Sequence, residues 1–336
     1  MKKPSLSKTS LGLLLIMAAQ IGTANLAVAQ NVSSCPVFRW TTLGTAGGPI
    51  PTYERSQPSN LLEAADLTIL VDSGDATAGQ LAKAGHSVGE VQHIFISHLH
   101  LDHTAGIAGV AGLRWMNEHP GTITIYGPPG TKELVDGIVA SMAAPARIGF
   151  GFGLPSKPED RIKSVELTDG QVIELGDLKI KAVANNHHDG PGDIAKKIGA
   201  LAFSYRFDMD DRSITYTGDT GPDARVTALA KDSDLLVSEV IEVDQMIGMI
   251  AEQRPELNEM MLGAARMHFT THHVTPEEVG KMAQQAAAKR TVLTHYVIPG
   301  ELGKSAQSLY DKVRKNYTGD VDLARDLSSY DIGCKN

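Results

Sequence analysis

The sequence predicts a mixed α/β fold, of α/β and α+β character, arranged as a four-layered αββα sandwich. Two observations support this prediction. Apolar runs of strand length alternate with helical patterns in two successive halves of the chain, as expected of two sheets that each carry helices on one face. In addition, histidine and aspartate residues come directly after several predicted strands, where α/β folds place their chemistry.

The first half contains strands rich in β-branched and aromatic residues, and residues 91–96 are the clearest case. A glycine-rich turn at 44–49 could cradle a phosphate, but it lacks the lysine of a P-loop, so we interpret it as a turn near the site. The strands predicted in this half are 37–43, 61–64, 67–71, 91–96 and 122–126, and the helices are 78–84 and 131–142.

The second half begins after an irregular segment, 143–161, which is either a surface linker or a flap that carries Phe150 and Phe152. Thr275-Pro276-Glu277-Glu278 predicts the start of a later helix, with Thr275 as its N-cap and the Glu278 side chain bonded back to the N-cap residue. The strands predicted here are 164–167, 172–174, 178–184, 200–207, 213–217, 235–237 and 291–293, and the helices are 223–230, segments up to about 266, and 275–288.

The first 29 residues have the pattern of a secretory signal peptide. Lysines at the start precede a short apolar run at 11–19, and Ala27-Val28-Ala29 is a cleavage signal. The alternative is an uncleaved membrane anchor, although the apolar run is short for a span. We therefore expect a leader at 1–29, a hydrolase domain at 30–336, and a periplasmic or secreted protein.

Charge and cysteine content limit the environment and the partners. The chain of 336 residues has a net charge of −8, and removal of the basic leader makes it more negative. An acidic protein has no general attraction for nucleic acid or anionic membranes, although a locally basic groove stays possible. In an oxidising compartment Cys35 and Cys334 could form a bond between the two ends of the chain, or they could remain free thiols.

The chemistry of the sequence is concentrated in the stretch from Ser97 to His103. His98 and His100 are two residues apart at the end of a strand, so they project to the same side and can bind one ion. Asp102 and His103 lie further along the loop, where they can face a second ion. Imidazole and carboxylate ligands suit zinc and other divalent first-row metals. The alternative is a polar loop, but burying these groups without a partner is costly.

Four of the candidate residues come just after strands in different parts of the chain: His98, His187, Asp219 and His295. Scattered core histidines would not share that placement. If these strand ends meet at one rim, they supply the number of ligands that two metal ions require.

This combined pattern resembles the metallo-β-lactamase fold superfamily, and the resemblance extends over about 38–330. The segments at 43–49, 216–220 and 273–278 resemble the branch that contains ribonuclease Z and the metallo-β-lactamase-type arylsulfatases.

The resemblance implies roles for single residues. His98, His100 and His187 would hold one zinc ion, Asp102, His103 and His295 the second, and Asp219 would bridge both. His188 is the alternative to His187. Asp102 would also orient the attacking hydroxide, and Asp72 would support the ligands.

His273 matches a histidine that protonates the leaving group, so it is the second catalytic candidate beside Asp102. Otherwise it is only a residue at a helix entry. His268 and His272 are weaker candidates, and Glu239 could steer His273.

The implied function is an exported, dinuclear zinc-dependent hydrolase in which a metal-bridging hydroxide cleaves a small ester, a sulfate or phosphate ester before a lactone or a β-lactam. The alternative class is a metal-binding or sensory protein without turnover. We expect a small-molecule substrate, no membrane association after leader removal, and possible homo-oligomers. We expect no nucleic acid partner, because the long basic arm of ribonuclease Z is matched at most by the short segment 143–161.

Overall fold

The structure is a computed structural model that describes residues 35–150, 156–190 and 194–335. Within these residues the strands form two sheets of seven strands each. The first sheet contains β1 (Phe38–Gly44), β2 (Ser59–Ala64), β3 (Leu67–Ser73), β4 (His93–Phe95), β5 (Ile123–Gly127), β6 (Ile162–Glu166) and β14 (Ser328–Asp331). The second sheet contains β7 (Val172–Leu175), β8 (Leu178–Ala184), β9 (Phe203–Met209), β10 (Arg212–Tyr216), β11 (Leu235–Ile241), β12 (Arg290–Val297) and β13 (Asp320–Leu323).

The strands that carry the candidate ligands run in a common direction within each sheet. The first sheet has the order β14-β1-β2-β3-β4-β5-β6, and β3 to β6 are parallel. The second has the order β13-β12-β11-β10-β9-β8-β7, and β10 to β13 are parallel. Strands β8 and β10 both pair antiparallel with β9, so they point the same way. Each sheet therefore collects the carboxyl ends of these strands at one edge.

Helices connect the strands and cover the sheets. Within the described residues they are α1 (Thr77–Lys83), α2 (Leu101–Thr104), α3 (Ile107–Met116), α4 (Thr131–Ser141), α5 (Ala143–Ile148), α6 (Pro158–Arg161), α7 (Ile194–Lys197), α8 (Ala224–Leu229), α9 (Val243–Gln253), α10 (Glu259–His272), α11 (Pro276–Gln285) and α12 (Leu302–Arg314). None of these helices combines the length and the apolar character that crossing a membrane requires.

Three buried clusters define four layers. Between the sheets, Trp40 and Phe95 of the first sheet pack against Phe207 of the second, with ring centroids 5.9 and 6.3 Å apart. A second cluster joins the outer face of the first sheet to α1, α3 and α4. A third joins the outer face of the second sheet to α8, α11 and α12. Each sheet thus buries one face against its partner and the other against helices, which confirms the predicted αββα sandwich.

Direct hydrogen bonds join the two sheets at the edge where the candidate ligands lie. The Phe203 amide donates to the Ser97 carbonyl over 2.8 Å, and the Tyr205 hydroxyl donates to the Ile96 carbonyl over 2.7 Å. Ala46 forms an isolated parallel bridge with Tyr296. These bonds hold the loops of both sheets in contact.

The bounds of most predicted elements agree with the structure to within three residues at each end. Thr275 and Glu278 form the predicted capping box of α11. The strands predicted at 235–237 and 291–293 are longer, as β11 and β12. The segment 143–161, predicted to be irregular, contains the short helices α5 and α6. The sequence also did not indicate α12, β13 or β14. Both strands have four residues and are mostly half-exposed or exposed, so they lack a long apolar run.

Two predictions fall partly or wholly outside the described residues. The leader at 1–29 lies outside them, as do residues 151–155 of the proposed flap. In the described part of this segment α5 has no buried residue and Ile148 is exposed, whereas the half-buried ring of Phe150 lies 5.0 Å from that of Trp115 in the outer cluster of the first sheet.

A disulfide bond joins Cys35 to Cys334, so the bonded alternative is the one observed. The buried Arg212 side chain donates to the carbonyls of Pro36 and Ile332 over 2.8 and 3.1 Å. This guanidinium therefore attaches both ends of the described chain to β10 of the second sheet.

Candidate metal centre

The first group of candidate ligands combines the loop after β4 with the segment after β8. His98 Nε2 lies 2.8 Å from His100 Nδ1, and His187 Nε2 lies 3.4 Å from the same atom. His98 and His187 are buried and His100 is exposed. The three nitrogen atoms lie within 4.8 Å of one another, so they can bind one cation.

The second group combines β12 with α2, because Asp102 and His103 lie on this short helix rather than on the loop where the sequence placed them. His103 Nε2 lies 3.2 Å from His295 Nε2. Asp102 Oδ2 lies 3.6 Å from the former nitrogen and 3.8 Å from the latter. These three side chains also form a group with ligand atoms within 4.8 Å.

Asp219, which follows β10, lies between the two groups. Its Oδ2 is 3.9 Å from His98 Nε2 in the first group. Its Oδ1 is 3.3 Å from His103 Nε2 and 3.1 Å from His295 Nε2 in the second. One carboxylate therefore presents one oxygen to each group, which is the geometry of a bridging ligand. The structure thus brings together all seven side chains that the sequence indicated.

The histidine at 187, rather than its neighbour, belongs to these groups. His188 is also buried, and its ring centroid lies 5.7 Å from that of His98 and 5.4 Å from that of His100. Among the described residues, however, the atoms close enough to share a cation come from His187. His187 Nδ1 lies 2.9 Å from the His272 carbonyl, which leaves Nε2 to face the first group.

A β-bulge and an unusual backbone conformation orient His295. Along β11 and β12, Leu293 pairs with Ser238 and Tyr296 pairs with Val240, so two residues of β12 lie opposite one of β11. His295 has a φ of 44°, which costs energy for a residue with a side chain. The bulge turns its side chain away from the ladder and towards Asp219.

Two glycines allow backbone to approach the site closely. A Cβ at Gly47 would lie 2.7 Å from the His295 carbonyl oxygen, and a Cβ at Gly218 would lie 2.9 Å from Ser97 Cβ. Gly218 also has a φ of 56°, so both space and backbone conformation favour glycine just before Asp219.

Asp72 supports the ligands from beneath, and it has a φ of 57°. Its Oδ2 lies 2.8 Å from His103 Nδ1 and accepts hydrogen bonds of 2.8 Å from the hydroxyls of Ser97 and Tyr216. Its Oδ1 accepts from the Ser97 amide over 2.7 Å. A carboxylate bonded to Nδ1 leaves Nε2 to face the site and makes it more basic.

Sequence reasoning identified Asp72 but assigned no role to Ser97 or Tyr216. Both lie in segments that carry candidate ligands, but they are 25 and 144 positions away from Asp72, so no local signal in the sequence pairs them with it. Pairing of β3 with β4 in the first sheet brings Ser97 to Asp72, whereas packing of the two sheets brings Tyr216.

Electrostatics at the site suit a cation. Burial lowers the pKa of His98 and His187 well below the ordinary value, which leaves them neutral and able to bind a metal. Burial alone would raise the pKa of Asp219, but His295 and His103 bring it well below its ordinary value. Burial would likewise lower the pKa of His103, yet the carboxylates of Asp219, Asp72 and Asp102 raise this pKa well above its ordinary value.

The residues fit a pair of divalent cations. Asp219 Oδ1 is buried and accepts no hydrogen bond among the described residues, although an ionised buried oxygen needs a positive partner. A cation between the two groups would supply that partner. The donor set of five imidazoles and two carboxylates is the chemistry that zinc and other first-row divalent ions prefer.

The candidate proton donor lies at the edge of the same cluster. His273 Nδ1 is 2.7 Å from Glu239 Oε2, and the other oxygen of this carboxyl accepts from the Thr220 amide over 2.6 Å. Burial lowers the pKa of His273 to about 3. Burial and the nearby Asp219 raise the pKa of Glu239 well above its ordinary value. The two shifts have opposite directions, and both favour a proton on the Glu239 carboxyl and a neutral imidazole at His273.

The remaining histidine candidates lie behind this pair. His272 Nδ1 bonds to the His187 carbonyl, and the rings of His268 and His272 have centroids 4.2 Å apart on α10. Their contacts indicate support for the segment that carries His187, rather than a place in the ligand groups.

The chain matches known proteins over most of its length. The family model "Beta-lactamase superfamily domain" matches residues 68–296. Ribonuclease Z of Mycobacterium marinum (strain ATCC BAA-535 / M) is 29% identical over 267 residues, which cover 75% of this chain and 91% of the relative. Ribonuclease Z of Mycobacterium avium (strain 104) is 32% identical over 219 residues, which cover 64% of this chain and 74% of the relative.

A solved structure shows the same fold. The metallo-beta-lactamase fold protein YhfI from Bacillus subtilis superposes with a TM-score of 0.63 at 18% identity, over 88% of this chain and 99% of that protein.

These relatives correct one prediction. The expectation that the chain has no nucleic acid partner is wrong, because relatives aligned over most of their length are named ribonuclease Z. Net charge and the missing basic arm were poor guides to this partner. Net charge describes the average field of the surface, whereas the field of a local groove that holds cations can have the opposite sign.

The catalytic class follows from the family. A match over more than half of the chain, relatives named ribonuclease Z and a shared αββα fold agree with one another. We conclude that this chain belongs to the metallo-β-lactamase branch of the β-lactamase superfamily, next to ribonuclease Z, and that it is a hydrolase.

Proposed function

We propose that this protein is a two-metal phosphodiesterase, and that the phosphodiester bond of RNA is its favoured substrate. The central observation is the position of Asp219, which presents one oxygen to each of two ligand groups. The names of the relatives support a phosphate diester rather than a sulfate ester, a lactone or a β-lactam.

Different residues of the chain would bind the cations, orient the water and position the ligands. His98, His100 and His187 would hold one cation, Asp102, His103 and His295 the other, and Asp219 both. When bound, two divalent cations supply Lewis acidity, which lowers the pKa of water and neutralises charge on a phosphoryl group. Asp102 is partly exposed, so it can also orient the attacking water. Asp72 keeps His103 in the tautomer that binds a metal.

His273 would donate a proton to the leaving alcohol. Its Nδ1 is engaged by Glu239, so its Nε2 is the atom that can carry a proton to the site. Glu239 would supply the proton that replaces it, because burial and the nearby Asp219 raise the pKa of its carboxyl. The pair can thus deliver a proton without leaving a buried imidazolium in the resting protein.

Metal content is the first prediction. We expect the purified protein to bind about two zinc ions per chain, and Asp219→Ala to lose both ions and all turnover, because the shared carboxylate is removed from each group. Elemental analysis and hydrolysis assays measure both effects. Asp136→Ala, at an exposed ion pair with Lys132, is the control. Full metal content in Asp219→Ala would contradict the bridging role.

Substrate class is the second prediction. We expect the zinc-loaded protein to hydrolyse single-stranded RNA and bis(p-nitrophenyl) phosphate, but not p-nitrophenyl sulfate, a lactone or a chromogenic cephalosporin. Asp219→Ala, purified in parallel, controls for contaminating nuclease. Turnover of a sulfate ester, lactone or cephalosporin without turnover of either diester would reject the proposal. Silence on the whole panel with zinc bound would instead support the non-catalytic metal binder.

Proton donation is the third prediction. The p-nitrophenolate of bis(p-nitrophenyl) phosphate is a good leaving group without protonation, whereas the alkoxide released from RNA needs a proton. We expect His273→Ala to lower turnover of RNA by about 10²-fold or more and that of bis(p-nitrophenyl) phosphate only slightly. His86→Ala, at a half-buried histidine outside the site that contacts Glu90, is the matched control. Equal losses with both leaving groups would show that His273 acts only through structure.

We also propose that the protein works outside the cytoplasm. The signal pattern at 1–29 and the disulfide between Cys35 and Cys334 support an oxidising compartment.

Export is the fourth prediction. We expect the protein to be recovered from the periplasm or medium with Gln30 as its first residue, because cleavage follows Ala29. Mass spectrometry should show that both cysteines react with an alkylating agent only after reduction. A cytoplasmic protein that begins at Met1 and has free thiols would contradict export.

A further inference from the structure

The imidazole of His187, a candidate ligand of the first group, contacts the end of α10. Its Nδ1 lies 2.9 Å from the carbonyl oxygen of His272. A carbonyl oxygen can only accept, so Nδ1 donates and carries the hydrogen. The other nitrogen, Nε2, then keeps its lone pair for a cation, and it lies 3.4 Å from His100 Nδ1. The main chain of His272 therefore fixes the tautomer that the first group requires.

The same two residues are joined a second time. The His272 ring bonds through Nδ1 to the carbonyl oxygen of His187, so each ring donates to the main chain of the other residue. The two ring planes are nearly perpendicular, at 87°, and their centroids lie 5.8 Å apart. This pair of bonds holds both the main chain of His187 and the orientation of its ring.

His272 is the only buried residue among the fourteen of α10, all of which the structure describes. The apolar contacts of this helix come instead from the half-buried Leu262, Ala265 and Phe269. Burying an imidazole is costly unless its polar atoms are bonded. Here the bond goes to the main chain of a candidate ligand, so the contact with His187, rather than apolar packing, accounts for the burial of His272.

Two glycines allow the end of α10 to approach the segments that carry ligands. A Cβ at Gly190, in the segment after β8, would lie 2.6 Å from His272 Cε1. A Cβ at Gly221, in the segment after β10, would lie 2.8 Å from the Thr271 carbonyl carbon. Real Cβ atoms do not approach other atoms this closely, so glycine at both positions lets α10 pack directly against these segments.

The carbonyl that His187 contacts also belongs to the negative end of a helix. Carbonyl groups in the last turn of a helix lack partners within the helix and carry partial negative charge. An imidazole that donates to such a group binds a cation more strongly through its other nitrogen. In the second group the carboxylate of Asp72 acts in this way on His103. At the first group, the end of α10 takes the place of that carboxylate.

We propose that His272 is a positioning residue for the first cation, and that the end of α10 sets the zinc affinity of the first ligand group. The inference rests on the two-cation centre of the proposed function, but on no particular substrate. His272 contacts a ligand of the first group, whereas the second group takes its own ligands from α2 and β12. Loss of the His272 side chain should therefore weaken one cation and spare the other.

Two single-cation backgrounds separate the groups. His103→Ala removes a ligand of the second group, so zinc binding then reports the first, and His100→Ala does the reverse. We expect His272→Leu, which keeps the bulk and removes the donor, to raise the zinc Kd about ten-fold or more in the His103→Ala background. In the His100→Ala background we expect a change below about two-fold. Competition with a chromogenic chelator measures both constants on the full chain.

Rescue and control variants distinguish positioning from a general loss of structure. His272→Asn places an amide nitrogen near the position of Nδ1, so it should restore the first Kd to within about three-fold of its background. His272→Ala, which adds no apolar group, is made in parallel and should behave like His272→Leu. Met267→Ala, at an exposed position of the same helix, is the matched control. Thermal unfolding of the metal-free variants reports the fold.

Three results would overturn the inference: an unchanged first Kd in His272→Leu and His272→Ala, equal weakening in both backgrounds, or no rescue by His272→Asn in a folded protein. Failure of the proposed function is a different outcome. If the unchanged chain binds no zinc, the two-cation centre fails and this inference fails with it. If the unchanged chain binds two zinc ions and the His272 variants lose neither, only the positioning role is refuted.

Discussion

The position of one buried carboxylate organises this molecule. Asp219 presents one oxygen to His98 and the other to His103 and His295, so it belongs to both ligand groups. A buried ionised carboxylate is costly unless positive charge compensates it. Partial compensation comes from the imidazoles, but its Oδ1 accepts no hydrogen bond among the described residues. This missing partner is the physical reason to expect cations. Because the ligands that surround Asp219 come from both sheets, both sheets must be in place to bind those cations.

Two residues of the site have strained backbone conformations that orient the ligands around Asp219. Asp72 has a positive φ near the end of β3, and His295 has one inside β12, where a bulge turns it towards the site. Such conformations persist only where surrounding contacts hold them. Here the hydrogen bonds of Asp72 with Ser97 and Tyr216, one from each sheet, provide that support. Contacts between the two sheets therefore stabilise the backbone conformations that orient the ligands.

The chemistry of such a site is general, and its surroundings decide what it acts on. Two cations and a proton donor can serve many esters, so fold alone does not choose a substrate. The relatives overturned the expectation that nucleic acid is excluded, which shows how little a global net charge says about a local cleft.

The sequence by itself indicated the αββα class, most strands and helices, and the four candidate ligands from His98 to His103, because strand periodicity and this spacing are local signals. His187, Asp219 and His295 were indicated by their positions after predicted strands, and the family resemblance implied their roles as ligands. It did not determine the short β13 and β14, whose residues carry no long apolar run. Only the tertiary structure chose His187 over His188, closed the bond between Cys35 and Cys334, and brought Tyr216 to Asp72. These are contacts between segments distant in sequence, and packing of the two sheets decides them.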